Sequence, residues 1–167
     1  SFGEDTPALT QATMQRARDR IGGVFDGVAS RTNIQPDAPL VTGLGRAYRD
    51  IQSSALPDNA QRSLLQELRN IYSNVAKPGG LTGEDYQTLT NFKSSLGRLQ
   101  GNADPTVKQF ARDLRGTLDD ALERQAAPGD AEALGRARQQ WKNYLIAAPL
   151  AEKAAADGTV SPKLLLA

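Results

Sequence analysis

The chain is predicted to be all-α, a bundle or elongated array of about six antiparallel amphipathic helices. Apolar residues recur at helical spacing in six stretches, and each stretch is opened by a capping residue or proline and closed by glycine or proline. No stretch alternates apolar with polar over the length of a strand, so no sheet is expected. Composition agrees: 39% of residues are hydrophobic but only 5% are aromatic, so the core is built from Ala, Leu, Val and Ile on helix faces. At 167 residues this is one domain, with any subdivision expected near residues 77–81.

The first helix is expected from Pro7, with Thr6 as its cap, to about Ser30, and turns Met14, Ala17, Ile21, Val24, Phe25 and Val28 to one side. Gly22 and Gly23 are its weak point, since each costs about 1 kcal/mol against Ala and invites a kink or break. A loop, SRTNIQPDAP, leads to a second helix with the stripe Leu40, Leu44, Ala47, Tyr48, Ile51 and Ala55. Pro57 and Asp58 turn the chain into a third, carried by Leu64, Leu65, Leu68, Ile71, Tyr72 and Val75 and stopped by KPGG at 77–80. Thr82 with Asp85 resembles a capping box and opens a fourth, with Tyr86, Leu89, Phe92, Leu96 and Leu99 inward.

Asp104 caps the fifth helix and Pro105 begins it; Val107, Phe110, Ala111, Leu114, Leu118, Ala121 and Leu122 face the core. Arg115 with Asp119, and Asp120 with Arg124, read as i, i+4 pairs on its outer side. The sixth begins at Asp130, presents Leu134, Ala137, Trp141, Tyr144, Leu145 and Ala148, and is expected to bend or end at Pro149. Beyond it, Ser161 and Pro162 start another helix that is barely a turn long. A helix that short does not recover its nucleation cost, so the chain reads as a piece of a longer protein. The tripeptide Leu-Gly-Arg recurs at 44–46, 96–98 and 134–136, at intervals too unequal for a solenoid; its glycines suit close helix crossings.

The chain holds no Cys and no His, which removes the thiolate and imidazole on which most zinc sites and many nucleophilic mechanisms depend. The neighbouring carboxylates Glu84/Asp85 and Asp119/Asp120 point about 100° apart on a helix, so they read as caps and solvated faces rather than an acid and base pair. Ser94 beside Lys93, and Ser161 near Lys163, diverge in the same way. GLGRAY lacks the third glycine and the strand of a dinucleotide loop, and KPGG lacks the spacing of a phosphate loop. No catalytic, cofactor-binding or metal-binding residue is therefore assigned, no small-molecule substrate is expected, and the chain is read as a non-enzyme.

Twenty basic residues against 19 acidic give a net charge of +1, which weighs against a surface built to neutralise phosphates. The densest basic groups are Arg16, Arg18 and Arg20, interrupted by Asp19 and with Arg16 and Arg20 one above the other on a helix face, and Arg136, Arg138 and Lys142 near Trp141; Arg16, Arg20, Arg136, Arg138 and Lys142 are the candidate interaction surface. Trp141 itself is expected in the core, its edge covered by arginine stems. There is no run long enough to span a bilayer and no signal-peptide pattern at the start.

From Thr82 onward, YQTLTNFKSSLGRLQ, FARDLRGTLDDALER, ALGRARQQWKNYLIAAPLAEKAA and GTVSPKLLL resemble a helical region of long tailed-bacteriophage proteins of the virion-internal or DNA-ejection-associated type. Arg138 to Tyr144 and Gly158 to Leu164 are the most distinctive parts. The resemblance implies a structural or assembly role through helix-face contacts with copies of the chain or other virion proteins, in the virion or the host cytoplasm, and carries no active site. Two other readings stand beside it: a nucleic-acid-binding helical module that assists genome passage, and a bacterial helical adaptor.

Overall fold

The computed structural model describes residues 7–156; the Thr6 cap, the Ser161–Pro162 start and the Gly158–Leu164 motif lie outside the described residues, as does the side chain of Ala148. The chain is all-α. Its helices are α1 (Pro7–Arg31), α2 (Ala38–Gln52), α3 (Asp58–Val75), α4 (Gly83–Thr90), α5 (Ser95–Gln100), α6 (Pro105–Gln125) and α7 (Pro128–Ala156). The described residues contain no strand, only an isolated antiparallel bridge between Ile34 and Leu81.

The chain divides into two compact units, one made of Asp26–Ala131 and the other of Ser1–Phe25 with Glu132–Ala167, so the turn at 77–81 lies inside the former. In the unit Asp26–Ala131, α6 is the hub, packing on α2, α5 and α3. Ala111, Leu114, Leu118, Ala121 and Leu122 of α6 are buried, against Leu40, Leu44 and Ile51 of α2 and Leu64, Leu68, Ile71 and Val75 of α3. In the other unit Ile21, Phe25, Leu134, Ala137 and Ala147 are buried. These are the apolar periodicities of the sequence, realised as helix faces.

The caps follow the sequence. The Thr82 hydroxyl accepts from the Asp85 amide at 3.1 Å, and Asp104 Oδ1 accepts from the Thr106 amide at 2.8 Å. Asp37, which the sequence did not single out, caps α2 by accepting from the Leu40 amide at 3.0 Å.

The fourth predicted helix is two. Asn91 Oδ1 accepts from the Lys93 amide at 2.8 Å in a turn of its own, and Ser94 caps α5 by accepting from the Gly97 amide at 3.0 Å. Local side-chain bonds thus win over a periodicity that fits one continuous helix. Gly97 is required here, because a Cβ would stand 2.4 Å from the Asn91 carbonyl oxygen and 2.6 Å from the Phe92 backbone. Of the Leu-Gly-Arg glycines, Gly45 meets only its own helix's Arg49 side chain, so the motif has no common purpose. The break carries Phe92 out of the core to 60% exposure, and Tyr72, off the narrow stripe of α3, is 47% exposed. Ala55 lies beyond the end of α2 and is exposed, while Leu56 is buried in its place.

Neither of the two expected weak points ends its helix. Helix α1 runs through Gly22 and Gly23, and α7 begins at Pro128 rather than Asp130 and runs through Pro149, whose exposed position lets the carbonyl left without a donor be solvated. A Cβ built on Gly22 or Gly23 meets nothing within 4 Å. Gly22→Ala and Gly23→Ala should therefore each stabilise α1, by roughly 1 kcal/mol at most. Thermal unfolding followed by circular dichroism checks this, and a lowered midpoint would mean that the glycines answer to a contact.

Candidate functional site

Four places gather polar chemistry, and the most buried of them joins α4 to α6. Tyr86 is wholly buried, and a buried phenol needs a partner. It donates to Asp119 Oδ1 at 2.8 Å; Arg115 Nε donates to Asp119 Oδ2 at 2.9 Å, and Arg115 Nη2 reaches the Tyr86 oxygen at 3.2 Å. The Arg115 and Asp119 side chains are only 18% and 7% exposed. The Arg115–Asp119 pair, read as an outer-face pair, is thus internal, and Asp119 is not on a solvated face. Burial pushes the Tyr86 hydroxyl well above its ordinary range, and the Asp119 charge adds to the shift. Burial opposes the Arg115 charge, but Asp119 and Tyr86 hold its pKa above the usual arginine value. The guanidinium, carboxylate and phenol are spent on one another, so the cluster fastens two helices.

The second place is the seam where residues 33–37 meet 77–81. Ile34 and Leu81 exchange both backbone bonds, at 3.0 and 2.9 Å, and both are fully buried. Gly79 and Gly80 hold φ of 84° and 79°, and the Gly79 carbonyl accepts from Asn33 Nδ2 and Gln35 Nε2. The Lys77 ammonium donates to Asp85 Oδ2 at 2.9 Å. From α6, Gln125 brackets the Gln35 backbone, accepting from its N–H and donating to its carbonyl at 2.7 and 2.8 Å, while Arg124 grips both oxygens of Asp37. Arg124 therefore serves the α2 cap, although Asp120 is its i, i+4 neighbour. The Arg124 hydrogen bonds hold the Asp37 carboxyl below its ordinary range. A depressed folded-state pKa means stability that is present above the ordinary carboxylate range and lost as pH falls through the depressed value.

The third place is an open groove of about 690 Å³ between α3 and α5, with Gln66, Glu67, Arg69, Asn70, Arg98 and Asn102 among its walls. Glu67 is 5% exposed. Burial pushes its carboxyl up, against the Asn70 hydrogen bond and the Arg98 charge. With the folded-state pKa raised, ionisation of Glu67 costs stability as pH rises from the ordinary carboxylate range through the raised value. Glu67→Gln should thus stabilise the fold at pH 7 and flatten its pH dependence there. Urea midpoints at pH 4 and pH 7 measure this; an equal or larger loss in the variant at pH 7 would contradict it.

The fourth place is the predicted basic surface, all of it in the unit of the terminal segments. Arg16 and Arg20 are exposed on α1; Arg136 is exposed on α7 and bonded to Glu132 at 3.1 Å; Arg138 is half-buried and Lys142 exposed. Trp141 is half-buried rather than in the core, and its ring stacks on Tyr144 at 5.1 Å with 10° between planes. Ile146 and Leu150 stand outward, 67% and 40% exposed.

Among the described residues no group of His, Cys, Asp and Glu could hold a metal ion, and no helix is long and apolar enough to cross a membrane. The sequence reading missed the cluster; the signal that could have found it is the phenol of Tyr86 on the inward face of the fourth predicted helix, which needs a buried partner, whereas the groove around Glu67 had no signal, because its walls come from helices about 30 residues apart. Compared with protein-family models, curated proteins and solved structures, the chain matches none.

Proposed function

We propose that the chain is a non-enzymatic structural or assembly section of a phage virion or DNA-ejection type protein, working through helix-face contacts with copies of itself. One observation carries the reading. Lys142, Ile146 and Leu150 follow one another at i, i+4 and i+8, so α7 presents an outward line of two large apolar side chains behind a charged rim. A net charge of +1 leaves little repulsion between copies, and closed homo-oligomers are the commonest assemblies. The buried Tyr86–Arg115–Asp119 cluster supports the reading too, since its groups bond one another instead of converging on open space. The phage setting, in virion or host cytoplasm, rests on the resemblance of the residues from Thr82 onward.

Light scattering over a concentration series from about 1 μM to about 1 mM tests it, because mass action makes assembly concentration-dependent. A mass that rises with concentration is expected. A constant monomer mass overturns the reading, and salt-sensitive binding of duplex DNA by that monomer would put the nucleic-acid module in its place.

A further inference from the structure

We infer that the groove between α3 and α5 binds an extended, acidic stretch of polypeptide. The inference deepens the assembly reading by naming a partner chemistry. The groove is open along its length, with a volume of about 690 Å³. The lining is amide, hydroxyl and two guanidinium groups with the single carboxyl of Glu67, and Leu99 is its sole apolar side chain, with no aromatic ring. Such a surface offers nothing for a base or sugar ring to stack on, and little for the apolar face of a helix.

Charge selects further. Arg69 comes from α3 and Arg98 from α5, so the two helices that make the groove each supply a guanidinium to it. Among the described residues Arg69 forms no ion pair, and Arg98 spends Nη1 on the Lys93 carbonyl at 2.9 Å, leaving its other donors for a ligand carboxylate. The Gln66 amide brings both a donor and an acceptor, matching the alternating N–H and C=O of a main chain; the Asn102 oxygen already accepts from the Asp104 amide, which leaves its NH2 group as a donor, and Asn70 is engaged with Asn74 and Glu67. Glu67 sets the class of ligand. It is an acid on the core side of α3, flanked by Leu64, Leu68 and Ile71, where an apolar residue would be easier to bury. A carboxyl there can accept a backbone N–H, which a polypeptide has and a phosphodiester lacks.

The test is fluorescence anisotropy of a short fluorescein-labelled peptide of alternating glutamate and glycine, titrated with the whole chain. Saturable binding is expected, weakened about tenfold or more in Arg69→Gln/Arg98→Gln, since each change removes a charge-assisted bond. Both arginines are exposed, so circular dichroism should show the variant folded as before. Absence of binding overturns the inference. So does equal binding to the double variant, equal binding of a lysine and glycine peptide, or displacement by an equal concentration of inorganic pyrophosphate, which would show that charge alone is read. Failure here with concentration-dependent assembly intact removes the groove and leaves the assembly reading standing; a monomer that still binds the peptide does the reverse.

Discussion

Asp119→Ala should cost about 3–5 kcal/mol, because it takes from the buried Arg115 guanidinium the carboxylate it is bonded to, leaving the charge of Asp26 to act on it, and takes from the Tyr86 hydroxyl its acceptor. The melting temperature should drop by on the order of 10 °C or more. Tyr86→Phe keeps the Arg115–Asp119 pair and loses one neutral donor, so it should cost about 1–2 kcal/mol. The order of the two variants is what matters. Urea unfolding of both gives it, and equal effects would show that Arg115 finds water or another acceptor when Asp119 is gone. The cluster matters beyond α6 because it is the point at which α4 is fastened across to the hub helix, with Arg115 Nη1 also lying 3.5 Å from the Thr90 carbonyl at the end of α4.

Gly80→Ala should be nearly as damaging, for a different reason. Gly79 and Gly80 both hold left-handed backbone, which costs an alanine about 1–2 kcal/mol. At Gly79 that is the whole cost, since a Cβ there meets nothing within 4 Å. At Gly80 the Cβ would lie 2.6 Å from the Ile34 carbonyl oxygen and 2.7 Å from Gln35 Nε2, so the Ile34–Leu81 bridge must open to admit it. A loss of about 3 kcal/mol or more is expected for Gly80→Ala against about 1 kcal/mol for Gly79→Ala. Hydrogen exchange at the Ile34 and Leu81 amides supplies the local readout: protection should collapse in Gly80→Ala and survive in Gly79→Ala.

The helices were legible because capping is local. Thr82, Asp104 and KPGG each act within a turn of themselves, so a reader of the sequence sees the whole interaction. The break at residues 91–94 hides for the opposite reason. Tyr86, Leu89, Phe92, Leu96 and Leu99 fit one helical face, and spacing does not register that Asn91 and Ser94 prefer their own turn. Partners chosen across the fold were not legible either. Arg124 has Asp120 one turn back and takes Asp37, 87 residues away. Arg115 has the expected Asp119, but the burial of the pair is decided by α4, whose Tyr86 arrives from 33 residues upstream of Asp119. Of the basic residues picked out on α1 and α7, Arg16, Arg20, Arg136 and Lys142 are exposed and Arg138 is half-buried, a difference that charge spacing does not register; the groove between α3 and α5 exists only once two separate helices are side by side.

The assembly account depends on the outward line of α7, and sedimentation equilibrium of the wild type beside Ile146→Lys/Leu150→Lys tests that dependence most directly. The account predicts a wild type that associates and a double variant that stays monomeric at every concentration, with unchanged helicity. A wild type and variant of identical mass across the series would contradict it.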